Sequence, residues 1–123
     1  MDLLIDVRWL LERLDEALPS QATISDYSGL AAAVARHRVD PPRFGISSDP
    51  AWRAAALLHT LVLLKPLPHH NARYSCAIVV AYMHASGEGI DAPYGGLVDL
   101  ARDIMAGKTD VFGAADLIRS WRI

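Results

Sequence analysis

The sequence lacks several features that mark particular classes of protein. Its single cysteine, Cys76, excludes a disulfide framework and, within an apolar segment, is typical of a packed thiol. Twelve basic and 14 acidic residues leave a net charge of −2, so the basic footprint of a nucleic-acid-binding protein is missing. No apolar run approaches the roughly 20 residues of a membrane span, and no secretory signal begins the chain. We therefore expect a cytoplasmic protein with no nucleic-acid or membrane partner.

What the sequence has in abundance is apolar, helix-compatible segments. Hydrophobic residues make up 52% of the 123 residues, which is ample for the core of one domain. No segment alternates with a period of two, as a half-buried strand would. We predict an all-α fold, a compact bundle of about six helices, in a single domain covering residues 1–123.

Helix boundaries follow from the periodicity and from residues that start or stop helices. Apolar residues at helical spacing from Leu3 to Leu18 predict an amphipathic first helix that ends at Pro19. Aspartates at candidate N-caps and glycines at candidate C-caps mark the others. The predicted ranges are 26–38, 49–64 with Asp49 as cap, 71–87 closed by Gly87, about 94–106, and a last helix capped by Thr109 or Asp110.

Two of these segments are apolar on nearly every face. Residues 52–64 read WRAAALLHTLVLL and residues 74–83 read YSCAIVVAYM. Helices of this kind are buried on all sides, so we predict that they form a central buried pair. The polar stretch KPLPHHNAR, residues 65–73, joins them and must emerge at the edge of the core.

This loop resembles the active-site motif of the Fic and Doc (death-on-curing) proteins, His-Pro-Phe-x-Asp/Glu-Gly-Asn-Gly/Lys-Arg, which also joins two buried helices. The positions that match the motif are Pro66, Asn71 and Arg73, with Leu67 in place of Phe. The positions that depart from it are Lys65 at the catalytic His, His69 at the acidic metal-binding position, His70 at the glycine and Ala72 at the Gly/Lys position.

The flanking segments extend the resemblance to the Doc branch of the family. Residues 26–36, DYSGLAAAVAR, are similar to the early Doc helix, and residues 85–93, ASGEGIDAP, to the turn after the motif. Residues 99–110 resemble the Doc tail before its last helix. The resemblance thus runs from about residue 24 to the end of the chain and implies a Doc-like helical domain.

In active relatives the loop and the next helix form an anion hole for nucleotide phosphates, which implies phosphate-binding roles for Asn71 and Arg73. Asn71 could orient the loop or cap the helix. The alternative is that Asn71 is only an N-cap and that Arg73 pairs with a surface carboxylate.

The departures remove groups that the family chemistry requires. A histidine titrates near neutrality and can act as a base, whereas a lysine is normally a cation at pH 7. Lys65 is therefore a doubtful catalytic residue, which either binds phosphate as a point charge or is a surface lysine. The loop residues His69 and His70 take the places of the Mg²⁺-binding carboxylate and of the close-approach glycine. A solvated histidine pair, rather than a Zn²⁺ or Ni²⁺ site, is the expectation here, so we predict no metal ligands.

The resemblance implies a Doc-like toxin–antitoxin component that acts mainly through protein contacts, with the transferase chemistry lost and no cofactor. Its expected partner is a small antitoxin-like helical peptide or protein, held in a groove that the first and last helices could line with Phe112, Ile118 and Trp121. For Trp121 the favoured alternative is a packing role within the fold. The alternative is an active transferase that uses ATP and Mg²⁺ to move phosphate or AMP onto a translation factor. A third possibility is an unrelated helical interaction domain.

Three other histidines fall in helices. His37 and His84 lie at predicted C-terminal turns, where a partial positive charge would suit the helix dipole. His59 lies within an apolar helix and is predicted to be a core histidine rather than a ligand.

Overall fold

A computed structural model describes residues 2–18, 22–45 and 48–123, and these residues form six α-helices. The helices are α1 Val7–Ala17, α2 Tyr27–Arg38, α3 Pro50–Leu64, α4 Asn71–Ala85, α5 Gly96–Met105 and α6 Val111–Trp121. Within these ranges the extended backbone forms only an isolated antiparallel bridge between Ile90 and Arg122. The predicted all-α fold is confirmed.

Helices α3 and α4 form the centre of the bundle, as predicted, but α4 is not buried on every side, because Arg73, Val80 and His84 are exposed. Helix α3 packs against α2, α4, α5 and α6, and α4 packs in addition against α1. Because α3 has neighbours on every side, its apolar residues are buried around the whole helix, from Ala51 through Val62 with His59 and Thr60 only half-buried. The remaining helices bury one face each and leave the other in water.

Aspartate caps set the start of four helices. Asp6, Asp26, Asp49 and Asp110 each accept a hydrogen bond from a backbone N–H in the first turn of α1, α2, α3 and α6. The prediction of Asp49 before Pro50 is confirmed, and Asp110 rather than Thr109 caps α6.

Two predicted boundaries were wrong. Helix α1 begins at Val7, not at Leu3, because Asp6 adopts an extended backbone and caps the helix there. Helix α5 begins at Gly96, because Gly95 has a positive φ of 77° that the helix cannot include. Pro19, the predicted end of the first helix, lies outside the described residues.

The segment before α1 is extended and is tied to three helices. The Ile5 N–H donates to Nε2 of His37 at 2.9 Å, and the Ile5 carbonyl accepts from Arg38 at 3.0 Å. The hydroxyl of Tyr82 donates to the Leu3 carbonyl at 2.5 Å. The side chain of Ile5 is buried in the core. Residues 2–6 therefore belong to the folded body although they form no helix.

The expected positive charge on His37 was wrong. His37 is fully buried, its Nδ1 hydrogen-bonds the Val34 carbonyl, and its Nε2 accepts the Ile5 N–H. Nitrogens used in this way belong to the neutral ring. Burial is the main cause that lowers the pKa of His37, and the nearby charges of Arg38 and Arg53 lower it further.

Arg53 is a buried cation inside the most apolar helix, and the sequence analysis missed it. Its guanidinium donates to the His37 carbonyl at 2.6 Å and pairs with Asp2 at 2.9 Å. Further bonds reach Ser48 Oγ at 2.6 Å and Asp40 at 3.3 Å. These partners lie in the first segment, at the end of α2 and in the loop between α2 and α3. One side chain thus joins three separate parts of the chain.

Helix α6 is fixed to the start of α3 by a bidentate ion pair. Arg119 donates to both carboxylate oxygens of Asp49, at 2.8 and 3.0 Å. Burial alone would raise the pKa of Asp49, but hydrogen bonds from Arg119 and from the Trp52 N–H outweigh it and lower the pKa. Asp49 therefore caps one helix and holds another.

Among the described helices, none is both long and apolar enough to cross a membrane.

Acid should destabilise the fold through His37. In the unfolded chain this histidine takes up a proton near its usual pKa of 6.5, whereas the folded state resists protonation. The unfolded state then binds more protons, so the free energy of unfolding should fall as the pH is lowered through and below 6.5. Urea denaturation between pH 8 and pH 5 measures this slope.

His37→Gln should reduce that slope, because the amide oxygen of glutamine can accept the Ile5 N–H without titrating. His84→Gln, at an exposed position, is the matched control and should keep the slope of the wild type. Some slope should remain in His37→Gln, because burial also lowers the pKa of His59. An unchanged slope in His37→Gln would contradict the assignment.

Candidate functional site

The loop that joins α3 to α4, residues 65–70, is anchored at its base and exposed at its tip. Pro66 and Leu67 are buried, whereas Lys65, Pro68, His69 and His70 are exposed. The Pro66 carbonyl accepts the backbone N–H groups of Ser25 and Asp26 at 2.9 and 3.3 Å, just before α2. The Pro66 ring lies so close to Gly29 that a Cβ built there would be 3.1 Å away. The start of α2 therefore holds the loop in place.

Asn71 fixes the shape of the loop from within. It is the first residue of α4 and is 7% exposed. Its Oδ1 accepts the Leu67 N–H at 3.3 Å, and its Nδ2 donates to the Leu61 carbonyl at 2.9 Å. The side chain thus spans from the last turn of α3 to the middle of the loop. Of the two structural roles that the sequence left open, it orients the loop and does not cap the helix.

Both ends of the loop adopt the left-handed backbone conformation. Lys65 has a φ of 47° and ends α3, and His70 has a φ of 61° and precedes α4. They are the only non-glycine residues with a positive φ in the described ranges. This conformation costs an L-residue other than glycine about 1–2 kcal/mol. His70 is also the position at which the Fic and Doc motif has glycine. The backbone there has the conformation that glycine favours, although the residue is a histidine.

The loop borders a cavity of about 460 Å³ at the N-terminus of α4. We call it the loop cavity; its lining residues are Val62, Lys65, Pro68, His69, His70, Asn71, Ala72 and Met105. Helix α4 has no side-chain cap, since the N-cap residue His70 makes no capping hydrogen bond. The positive end of the helix dipole and the Lys65 ammonium therefore act on the same space. The lining residues include no carboxylate to offset them.

Arg73 lies in the first turn of α4 but is not part of the lining of the loop cavity. Its side chain is exposed, and no carboxylate of the described residues lies within 4.0 Å of its guanidinium. The surface ion pair considered as the alternative role of Arg73 is therefore not formed within these residues. Phosphate binding by Asn71 and Arg73 stays a prediction. For Asn71 it would have to coexist with two hydrogen bonds that its amide already makes.

The residues of the loop cavity do not offer the ligand set of a Mg²⁺ site. Mg²⁺ prefers oxygen ligands, and this cavity offers imidazoles from His69 and His70 instead. Nowhere in residues 2–18, 22–45 and 48–123 do three His, Cys, Asp or Glu side chains cluster as metal ligands would. Lys65, at the position of the catalytic His in the motif, is exposed.

The other polar side chains in apolar helices are structural. Cys76 is buried, and burial raises the pKa of its thiol to about 11. A thiol with that pKa is protonated at neutral pH and unreactive, which confirms the predicted packed thiol. His59 is half-buried, and burial lowers its pKa, followed by the charge of Arg36. His59 therefore lies at the edge of the core and not within it.

The groove predicted between the first and last helices was wrong. Helix α1 packs against α2 and α4, whereas α6 packs against α3, so the two helices cover different sides of the bundle. Ile118 is fully buried, and the ring of Phe112 lies 5.3 Å from that of Trp52. Trp121 is half-buried against the core. These side chains pack within the fold and do not line an open surface.

The adjacent histidines allow a test of the backbone strain in the loop. His70→Gly should raise the free energy of unfolding by about 1 kcal/mol, because glycine adopts a positive φ without the steric cost. His69→Gly is the matched control, because His69 is equally exposed but has no positive φ. It should leave the stability unchanged or lower it. Urea denaturation at pH 7 measures both, and equal effects of the two substitutions would contradict the loop conformation.

Comparison with known proteins adds no relative to this description. The chain matches no protein-family model, no curated protein and no solved structure. The likeness to Fic and Doc proteins therefore rests on the residues of the loop and of the helices beside it.

Proposed function

We propose that this chain is a Doc-like component of a toxin–antitoxin system, works in the cytoplasm and acts mainly through protein–protein contacts. We also propose that this chain has lost the transferase chemistry of active Fic and Doc proteins. One observation carries it: the α3–α4 loop keeps an ordered, glycine-like backbone at His70, held by Asn71, while the side chains needed for transfer are replaced.

The replaced side chains act together in active relatives, which is why their joint replacement argues for lost chemistry. Lys65 is exposed and stands at the position of the catalytic base. His69 and His70 replace the metal-binding carboxylate and the glycine that lets a phosphate approach the backbone. Groups that work as one catalytic unit lose most of the rate when any single member is removed. With all three groups replaced, the fold and its surfaces are the parts of the protein that can still function.

A second candidate function is supported by the loop cavity itself. Its volume of about 460 Å³ lies within the range of small-molecule sites. An uncapped helix N-terminus beside a lysine ammonium suits the phosphate of a nucleotide. Under this alternative the chain is a transferase with a remodelled site, in which Lys65, Asn71 and Arg73 hold the phosphate and a translation factor supplies the acceptor hydroxyl.

Radiolabelled ATP separates the two candidates. The ATP carries its label at either the α- or the γ-phosphate. In the presence of Mg²⁺ and a cell lysate, the wild-type chain should transfer no label to any protein above background. A labelled protein whose label disappears with Lys65→Ala or Arg73→Ala would contradict the loss of chemistry and favour the transferase.

The same assay tests the resemblance if the motif is restored. The triple variant Lys65→His, His69→Asp, His70→Gly supplies all three missing groups at once, and we expect it to label a lysate protein in the presence of Mg²⁺. Adding Arg73→Ala to this triple variant should abolish the label. Absence of label from a folded triple variant would count against the Fic and Doc assignment of the loop.

The expected partner can be sought beside the gene. Co-expression with the small open reading frame next to it should raise the soluble yield and give a stoichiometric complex on size exclusion, because an antitoxin-like helix would cover apolar surface. An unrelated small protein of equal length serves as the control and should change nothing. If no neighbouring product binds and the yield stays the same, the toxin–antitoxin role is wrong.

A further inference from the structure

Helices α4 and α5 leave an apolar strip uncovered on the surface. Val80 of α4 is 46% exposed, and Val98 and Met105 of α5 are 45% and 57% exposed. We call these three residues the α4–α5 stripe. A second cavity, of about 300 Å³, lies at one end, where Val80 and Val98 meet Ile90 and Asp91. The loop cavity lies at the other end, where Met105 meets Ala72 and the loop.

The two helices run antiparallel, so both ends of the stripe lie on one side of the α4–α5 pair. Val80 adjoins Val98 at one cavity, and Ala72 adjoins Met105 at the other. Val98 and Met105 are seven residues apart, or two helical turns, so they lie on one face of α5 and about 10 Å apart along its axis. Val80 and Arg73 are also seven residues apart and therefore lie on one face of α4. The loop and the turn that contains Asp91 thus lie at opposite ends of this side of the α4–α5 pair.

The two ends of the stripe carry opposite charges that the rest of the described chain does not neutralise. Lys65 and Arg73 lie at the loop end, and neither makes an ion pair there. Asp91 lies at the far end, where only its backbone N–H is engaged, by the Trp121 carbonyl. On α5 itself, Asp99 and Arg102 pair with each other.

We propose that the α4–α5 stripe is a self-association surface on which a second copy of this chain docks antiparallel about a two-fold axis. In a two-fold interface each patch meets its own copy, so a strip that is positive at one end and negative at the other is complementary to itself. Lys65 of one copy faces Asp91 of the second, twice per dimer, and Val80 and Val98 of one copy face Met105 of the other. This inference does not depend on the proposed function.

Sedimentation equilibrium on the purified chain over a range of concentrations tests the surface. The wild type should be in a monomer–dimer equilibrium. Val98→Glu should weaken the dimer about tenfold or more, because it places a charge next to Asp91, where Met105 of the second copy would pack. Leu117→Glu is the matched control: Leu117 is also a partly exposed apolar residue, but it lies on α6 and should leave the dimer unchanged. Circular dichroism verifies that both variants are folded.

A charge swap tests the antiparallel arrangement. Lys65→Glu and Asp91→Lys should each weaken the dimer about tenfold, because each creates two like-charge contacts. The double variant, and also an equimolar mixture of the two single variants, should dimerise as the wild type does. A wild type that stays monomeric at all concentrations would overturn the proposal, as would a dimer that Val98→Glu leaves intact. A double variant no stronger than the single variants would overturn it too.

Discussion

The burial of α3 on every side is the constraint on which the rest of the structure depends. A helix with four neighbouring helices can be polar only where each polar group finds a partner. Arg53 is the extreme case, and its bonds to Asp2, Ser48 and the His37 carbonyl are what make a buried guanidinium tolerable. Hydrogen bonds from this one side chain in α3 therefore help to hold the first segment and the loop after α2 in place.

The same constraint shapes the α3–α4 loop. Two buried helices that lie side by side must be joined within six residues, and the chain achieves this with a left-handed residue at each end. Asn71 supplies the hydrogen bonds that the turn leaves open, one to each side. None of this requires the side chains of Lys65, His69 or His70. The backbone of the site and its chemistry can therefore diverge separately.

The sequence predicted best what depends on local chemistry. Apolar periodicity and aspartate caps give the helices, and the all-round apolarity of two segments gives the central pair. It failed where distant groups decide. His37 looks like a charged C-terminal residue until Ile5 is seen donating to its ring, and Arg53 looks like a solvated residue near a helix start. At the loop, the resemblance indicated Asn71 as important, but its role as a bridge from Leu61 to Leu67 needs coordinates.

The hydroxyl groups of two tyrosines in α4 have a consequence for the order of synthesis. Tyr74 donates to the Leu10 carbonyl and Tyr82 to the Leu3 carbonyl, so these early residues bond to residues that are synthesised 64 and 79 positions later. An isolated 11-residue helix such as α1 is marginal in water. At about 5–20 residues per second, the N-terminal segment waits on the order of 4–15 s for Tyr82 to be made. During translation, α1 can pack against α2 but not yet against α4, so part of its apolar face is open to chaperones until α4 is made.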